Sequence, residues 1–572
     1  DLSAERNKEL LQEIDLCFLF AQAYHASMRF AGPVRKELGI RTVFNIIGPL
    51  ANPAFASLQL LGVYKKELVE PLAKVLANLG VKRGIVVYGN DGIDEVTVSS
   101  TNTIAEINDG EITTYTLDPQ AFGFTPCKKS DLMGGDAKIN AGITYDILSG
   151  KEIIAGYQTS ASVYMGHQFG VPVPRLGDGR AILIAEHQTS KVENWELQLK
   201  GAGQTPYSRM GDGRAVLRSS IREYLASHAM DKLGIPTTLA GAILHSHDPI
   251  FREEVETAAV VLRIAPSFIR FGHFEYFARQ KQTKQLETLV QFVCKNYFPE
   301  INLSDSDYIV LFLEEVVKRT AEMIAHWQSI GFVHGVMNSD NMSILGLTID
   351  YGPFSFMDKF NPEQIFNHSD SEGRYTYAKQ PYIGWWNLYR LAEALSSIYA
   401  ETDNLEQALS KYSDFYNQKY TSLMAAKLGL SEFTDEDGKL LDELLQIMQQ
   451  EKIDWTYFWR QLSYGLTGQQ QLQRDYPSLA LVNWYRRLEK RYQQQALAPE
   501  RRQETMLSSN PALILRNHLL QAAIERAKIG DYSEVGRLFD ALSDPFVESD
   551  IYREYYQAAP SNAAEIILSC SS

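Results

Sequence analysis

The sequence predicts an α+β protein in which a β-rich lobe precedes a helical lobe, with a separate α/β segment ahead of both. Three observations predict this. Between about 152 and 218, short strand-like pieces alternate with glycine turns: GHQFG, LGDGRAILIAE, WELQLKGAG. From about 219 onward the chain reads as mainly helical. Before 151, an amphipathic helix, a short apolar strand and a hairpin follow in series, as in an α/β sheet. The expected divisions are 1–151, 152–258 and 259–572. A β-rich lobe beside a helical one is one way to build a nucleotide cleft.

Composition bounds the function. The 572 residues amount to about four units of ~150 residues. Apolar residues at 45% and aromatics at 11% supply a core and exclude disorder over most of the length. A net charge of −15 argues against a generic nucleic-acid binder, which carries a basic face. It leaves room for a local basic pocket. Cys17, Cys127, Cys294 and Cys570 are too scattered for a disulfide framework or a zinc site, so a reducing compartment is expected. No apolar run approaches the ~18 residues of a membrane helix. The acidic start DLSAERNKELLQEID lacks the basic region of a signal peptide. A cytoplasmic protein with no membrane or nucleic-acid partner is expected.

Each element has a local reason. In KKELVEPLAKVLANLG, Leu68, Val69, Leu72, Val75, Leu76 and Leu79 recur at helical spacing, and Gly80 stops the helix. GIVVYG is a short buried strand bounded by Gly84 and Gly89. TIAEINDGEITTYTL is a hairpin turning at Asn108, Asp109 and Gly110. WELQLK alternates, with Trp195, Leu197 and Leu199 on one face and Glu196, Gln198 and Lys200 on the other. RSSIREYLASHAM is a helix with Ser219 or Ser220 near its cap. Further on, Leu440, Leu441, Leu444, Leu445 and Met448 form an apolar stripe, read as core packing.

Several of these positions can carry chemistry. Lys200 ends a strand beside Gly201-Ala202-Gly203, where an ammonium reaches nucleotide phosphates as a point charge. A buried lysine needs a carboxylate, and Glu223 is the candidate. The turns LGDGRA and MGDGRA put Gly177, Gly179, Asp212 and Gly213 where backbone N–H groups can approach phosphates. Two tight turns would read the same. Arg263 and Arg270 lie among apolar and aromatic residues and so need an anion, either a structural carboxylate or a ligand phosphate. The strongest local signal is FVHGVMNSDNMSILGLTIDYGPF. Two short strands about Gly346 would fold Asp350 back beside Asn341, whose oxygens suit a hard cation such as Mg²⁺. Asp340 could accept a proton from an attacking hydroxyl.

The stretches GHQFG, LGDGRAIL, WELQLKGAGQTPYSRMGDGRAVLRSSIREYL, SFIRFGHFEYF, GFVHGVMNSDNMSILGLTIDYGPF and NHSDSEGRY together resemble the selenoprotein O family of protein adenylyltransferases, over 152–572. The resemblance implies a kinase-like fold that binds ATP in a flipped orientation. It implies transfer of AMP, rather than the γ-phosphate, to Ser, Thr or Tyr hydroxyls of proteins. It implies Lys200 on phosphate, paired with Glu223, and Gly177, Gly179, Arg180, Asp212, Gly213, Arg263 and Arg270 around the nucleotide. Asn341 and Asp350 would hold Mg²⁺ or Mn²⁺, Asp350 also facing the ATP, and Asp340 would be the base. Bacterial relatives carry a Cys before NHSD that pairs with the C-terminal one; Phe366 stands there instead, opposite Cys570. Phosphoryl transfer in the usual orientation, and a nucleotide-binding pseudokinase, are the competing readings.

Residues 1–151 resemble the C-terminal portion of anthranilate phosphoribosyltransferase, through FLFAQAYHASMRFAGPVRKELGIRTVFNIIGPLANPA and GNDGIDEVTV. The resemblance implies anthranilate contacts for Arg35 and His25, and Mg²⁺ ligation by Asp94 and Glu95. The Gly-Thr-Gly-Gly-Asp loop and the N-terminal helical domain of that family have no counterpart here. Without the loop nothing cradles a pyrophosphate, so this part is expected to be inactive alone, with a residual role in tryptophan biosynthesis as the alternative. A fusion through deletion or chimeric assembly is the expected origin of the joined chain.

Overall fold

The computed structural model describes residues 56–125, 127–129, 137–154, 157–189, 194–252 and 254–560, with 46, 47 and 50. The chain divides into two compact units, 1–140 and 141–572. Among the described residues no helix is long and apolar enough to cross a membrane.

The first unit contains a four-stranded sheet in the order β1-β2-β3-β4. Strand β1 (Leu58–Gly62) leads through helix α1 (Val69–Asn78) to β2 (Arg83–Gly89), which pairs with it in parallel. The sheet continues antiparallel through β3 (Asn102–Asn108) and β4 (Glu111–Leu117). The β3–β4 turn is two residues, Asp109 at φ +48° and Gly110 at φ +91°, the left-handed pair that matches strand twist. Helix α1 buries Val69, Leu72, Ala73 and Leu76. Val75 and Leu79, expected on the same stripe, are 38% and 60% exposed. They lie to one side of the face that the sheet covers, so helical spacing alone overstated the buried arc.

In the second unit, β5 (Val163–Gln168) and β6 (Val171–Gly177) form a hairpin. A five-stranded antiparallel sheet follows, built from β7 (Ala181–Gln188), β8 (Asn194–Lys200), the short β9 (Ala215–Val216), β10 (Leu239–Phe251) and β11 (Val255–Ala265). Its order is β10-β11-β8-β7, with β9 on β11. The long β10–β11 hairpin corrects the reading of 219 onward as mainly helical. Register shifts between Ala240 and Ala242 and between His245 and Pro249 break the two-residue alternation that marks a strand. The run AAVVL in β11 is apolar on both faces and has no period to read.

Helix α2 (Leu217–Lys232) is inserted between β9 and β10. It begins after Val216, with no side-chain cap. Ser219 and Ser220 therefore lie inside its first turn rather than at its cap; Ser219 Oγ donates to Val216 O at 3.1 Å. Then come α3 (Phe271–Arg279), α4 (Thr283–Tyr297) and α5 (Tyr308–Ile330). After α5, strands β12 (Phe332–Val333) and β13 (Ser355–Phe356) pair and bracket the loop 334–354. Helix α6 (Gln380–Leu395) follows, and helices fill most of 402–542. Among these, α7 (Asp435–Gln450) buries Leu440, Leu441, Leu444 and Met448, which is core packing.

The loop 334–354 rests on a dense aromatic floor. Trp327, Phe332, Phe354 and Phe356 are each at most 1% exposed and pack ring against ring. Interiors at that density hold a loop in one conformation, which matters for the side chains it presents.

Candidate functional site

A cavity of about 660 Å³ opens between the five-stranded sheet and the loop 334–354. Its lining includes Gly177, Gly179, Arg180, Lys200, Asp212, Gly213, Glu223, Arg263, Arg270, Asp340, Asn341 and Asp350. Every candidate from the 152–572 region is thus brought to one place.

Strand pairing sets the floor. Lys200 lies opposite Val261, and Gln198 opposite Arg263. Alternation therefore turns Gln198, Lys200 and Arg263 to the same side. Lys200 Nζ donates to Glu223 Oε2 of α2 at 2.5 Å and lies 3.4 Å from Asp350 Oδ1. Arg263 Nη1 donates to Asp350 Oδ1 at 2.7 Å and lies 3.5 Å from Glu223 Oε1; its other terminal nitrogen pairs with Gln198. Arg270 Nη1 pairs closely with Asp350 Oδ2 and donates to Asp340 O at 3.0 Å. Lys200, Arg263 and Arg270 thus surround the carboxylates of Glu223 and Asp350. Burial pushes the Lys200 ammonium below its ordinary range, against the opposing pull of Glu223 and Asp350. Burial would raise the Asp350 carboxyl, but Arg270, Lys200 and Arg263 overcome it and hold the group well below the usual carboxylate range. Asp350 stands at φ +57°, a conformation that aspartate tolerates better than most residues. The three cationic contacts fix it there.

The loop carrying Asn341 and Asp350 is not a pair of strands about Gly346. Its limbs bridge outward instead, Ser343 to Arg270 and Thr348 to Thr237. Gly346, at φ +69°, turns the chain with its N–H donating to Ser343 O at 3.2 Å. The local apolar pattern was right for burial, but the hydrogen-bond partners came from distant segments. Asn341 Nδ2 donates to Val336 O at 3.0 Å, which commits the nitrogen and leaves Oδ1 as its acceptor.

Asp340 is 6% exposed. Its Oδ2 accepts from Gln168 Nε2 at 3.1 Å, while its buried Oδ1 has no partner among the described residues. Burial pushes its carboxyl up to about 6, with the Gln168 hydrogen bond and the charge of Arg270 pulling the other way. Gly166 lies directly beneath: a Cβ there would come within 2.6 Å of Asp340 Cβ and Cγ.

The glycine turns serve packing as well as the cavity. A Cβ on Gly177 would enter the Tyr207 ring, and one on Gly179 would meet Tyr207 O at 3.0 Å. Gly213 has φ +68° and backs onto the Gly203 carbonyl. Asp212 is gripped by Arg252 through two contacts of 2.9 Å, which lower its carboxyl below the ordinary value.

Asp94 and Glu95 are exposed residues of the first unit. Among the described residues no group of three or more His, Cys, Asp and Glu is arranged to hold a metal. His25, Arg35, Cys17 and Cys570 lie outside the described residues. Cys127 and Cys294 are free thiols.

The residues that support Asp340 lie outside the candidates that the sequence motifs supply. Besides Gln168, the His167 ring meets Glu275 at 2.6 Å, and His167 N donates to Ser339 Oγ at 2.8 Å. Buried Arg222 donates to Phe354 O at 2.8 Å, on the loop after Asp350. The signal was present in GHQFG, where polar residues occupy a strand that has to be partly buried.

Residues 136–543 match the family model described as protein adenylyltransferase SelO. Residues 1–164 match the glycosyl transferase family, a/b domain. The protein nucleotidyltransferase YdiU of Bordetella parapertussis is 48% identical over 436 residues, covering 75% of this chain and 88% of that one. Its namesake from Erwinia tasmaniensis is 45% identical over 447 residues, 77% of this chain and 92% of that one. That of Myxococcus xanthus is 46% identical over 430 residues, 74% and 88%. Among solved structures, anthranilate phosphoribosyltransferase from Thermus thermophilus is 41% identical, covering 26% of this chain and 44% of that one, with a TM-score of 0.23. The Saccharomyces cerevisiae enzyme with 4-fluoroanthranilate is 30% identical, 27% and 44%, with a TM-score of 0.25. The chain spans less than half the length of either phosphoribosyltransferase.

Proposed function

Because this chain belongs to the SelO family of protein adenylyltransferases, and is a nucleotidyltransferase, we propose that it transfers AMP from ATP to Ser, Thr or Tyr hydroxyls of proteins in a metal-dependent reaction. One observation carries the reading. Three cations converge on Asp350, and the buried carboxyl of Asp340 lines the same cavity. The two-lobed architecture is read as kinase-like, with 152–258 and 259–572 as its lobes.

The chemistry follows from charge. The acceptor oxygen attacks the α-phosphorus, a new P–O bond forms, and the bond to the β-phosphate oxygen breaks. The Asp340 carboxylate takes the hydroxyl proton. Pyrophosphate departs with the bonding pair. Lys200, Arg263 and Arg270 are placed to stabilise the charge that develops, and because they are already oriented no reorganisation is needed. Arg180 adds a further positive group at the cavity wall.

The residues fit a hard divalent ion. Asn341 has its nitrogen committed and its oxygen available, and Asp350 stays ionised at any physiological pH. Both donors are oxygens, as Mg²⁺ or Mn²⁺ prefers. Asn341 and Asp350 would hold the ion, which when bound neutralises phosphate charge. Among the described residues Asp94 and Glu95 are exposed. We read the first unit as inactive in phosphoribosyl transfer.

ATP labelled at the α- or the γ-phosphate separates this reaction from ordinary phosphoryl transfer. Label is expected in protein from the α position alone. Retention from the γ position alone would establish a kinase instead.

The pH profile tests the base. Asp340 must be ionised, so kcat should fall as pH drops through about 6. Gln168 stabilises the charged form, so Gln168→Leu raises the Asp340 pKa and moves the acid limb to higher pH, by about one unit for one charged hydrogen bond. A limb that stays in place in the variant would remove Gln168 from this role.

A further inference from the structure

Helix α6 carries Tyr382, Trp385, Trp386 and Tyr389 at positions i, i+3, i+4 and i+7, along one side. Such a stripe is ordinarily buried. Here Tyr382 is 58% exposed and Tyr389 40% exposed. The rings pack in series, Tyr382 on Trp385 at 6.0 Å and Trp385 on Tyr389 at 5.9 Å between centroids. Two guanidinium groups join them. Arg390 lies over Trp386 at 5.0 Å and over Tyr389 at 4.7 Å; Arg374 lies over Trp386 at 4.6 Å.

The two arginines differ in charge balance. Arg390 pairs with Glu393 at 3.0 Å. Arg374 makes no ion pair among the described residues; its guanidinium hydrogen-bonds the Tyr375 hydroxyl, and the buried Nε of both arginines has no hydrogen-bond partner there. A guanidinium laid flat on an indole directs its N–H groups outward along its edge; beyond the one given to Tyr375, the terminal N–H groups of such a fork suit a carboxylate. In a chain of net charge −15 an unpaired arginine beside exposed aromatics is a local exception.

This face begins next to the base. Arg374 lies against the β5–β6 turn, where a Cβ on Gly170 would come within 3.2 Å of its Cζ. The same turn holds Phe169, whose N–H donates to Asn338 Oδ1 at 3.2 Å and to Tyr375 Oη at 3.0 Å. One residue earlier is Gln168, bonded to Asp340; one before that is His167, edge-on to Trp386 at 5.4 Å.

We propose that this aromatic–arginine face holds the polypeptide acceptor. The acceptor is an extended segment bearing a carboxylate near the modified hydroxyl, with Arg374 taking the carboxylate and the α6 rings taking flanking side chains. Tyr, Trp and Arg are the residues that dominate binding at interface centres. The assignment rests on the adenylyl-transfer reading and adds an acceptor preference to it.

The test uses the full chain with ATP and Mg²⁺ or Mn²⁺, and two random copolymers as acceptors, Glu–Tyr and Lys–Tyr. The Glu–Tyr copolymer is expected to be the better acceptor. Arg374→Gln should raise its KM about tenfold, the effect of one charged hydrogen bond, with the KM for ATP unchanged. Tyr389→Ala, at an exposed position where folding is not at stake, should raise it several-fold. Anisotropy of fluorescently labelled Glu–Tyr copolymer should report the same losses in binding without turnover. Equal KM values for both copolymers, or both variants behaving as the parent, would overturn this proposal and leave adenylyl transfer standing. No AMP transfer to either copolymer or to the protein itself would overturn the adenylyl reading and the acceptor role together.

Discussion

Replacing Asp350 by alanine should both destabilise the protein and abolish metal-dependent nucleotide binding. Asp350 is the carboxylate on which Lys200, Arg263 and Arg270 converge. Removing it leaves Arg270 without its ion-pair partner and Glu223 alone beside Lys200 and Arg263. Breaking a fully buried pair costs ~3–5 kcal/mol, and the Asp350 side chain is 21% exposed, so about 2–3 kcal/mol is expected. A urea denaturation midpoint checks this. Asp350→Asn keeps the volume and separates charge from packing. In that variant calorimetric titration should show ATP binding that no longer strengthens with Mg²⁺, while metal-free binding is retained or improved. The improvement is expected because the freed guanidinium groups of Arg263 and Arg270 then face the phosphates. Unchanged Mg²⁺ dependence in Asp350→Asn would contradict the assigned metal site.

Asp340→Asn should reduce kcat by about 10²–10⁴, the range for a lost general base. The amide can still accept from Gln168 Nε2, so fold and ATP affinity are expected to persist. A nucleotide-binding module without catalysis would show no such effect. A loss of ATP affinity as large as the loss of kcat would place Asp340 in binding rather than proton transfer.

Much of this site could be read from residue order, and the reason is local geometry. The alternation of WELQLK already places Lys200 and Gln198 on one face, and the pairing of β8 with β11 keeps them there. The hairpin at Asp109 and Gly110 follows from turn chemistry within two residues. What escaped depends on partners far along the chain. The limbs about Gly346 bridge to Arg270 and Thr237, not to each other. The hairpin of β10 and β11 hides behind two register shifts. Val216, not a serine, precedes α2, because β9 runs straight into the helix with no turn that a side-chain cap could close. Arg263 and Arg270 demanded an anion, but only the fold shows that the carboxylate of Asp350 meets the demand here. The Gln168–Asp340 contact joins residues 172 apart, which no local pattern encodes.

Intact-mass measurement of the full chain after incubation with ATP and Mg²⁺ or Mn²⁺, beside Asp340→Asn, addresses the nature of the transferred group at once. A gain of one or more adenylyl groups in the parent chain, absent from the variant, is the predicted result. A gain of phosphoryl groups instead, or equal adenylyl gain in both proteins, would contradict the account.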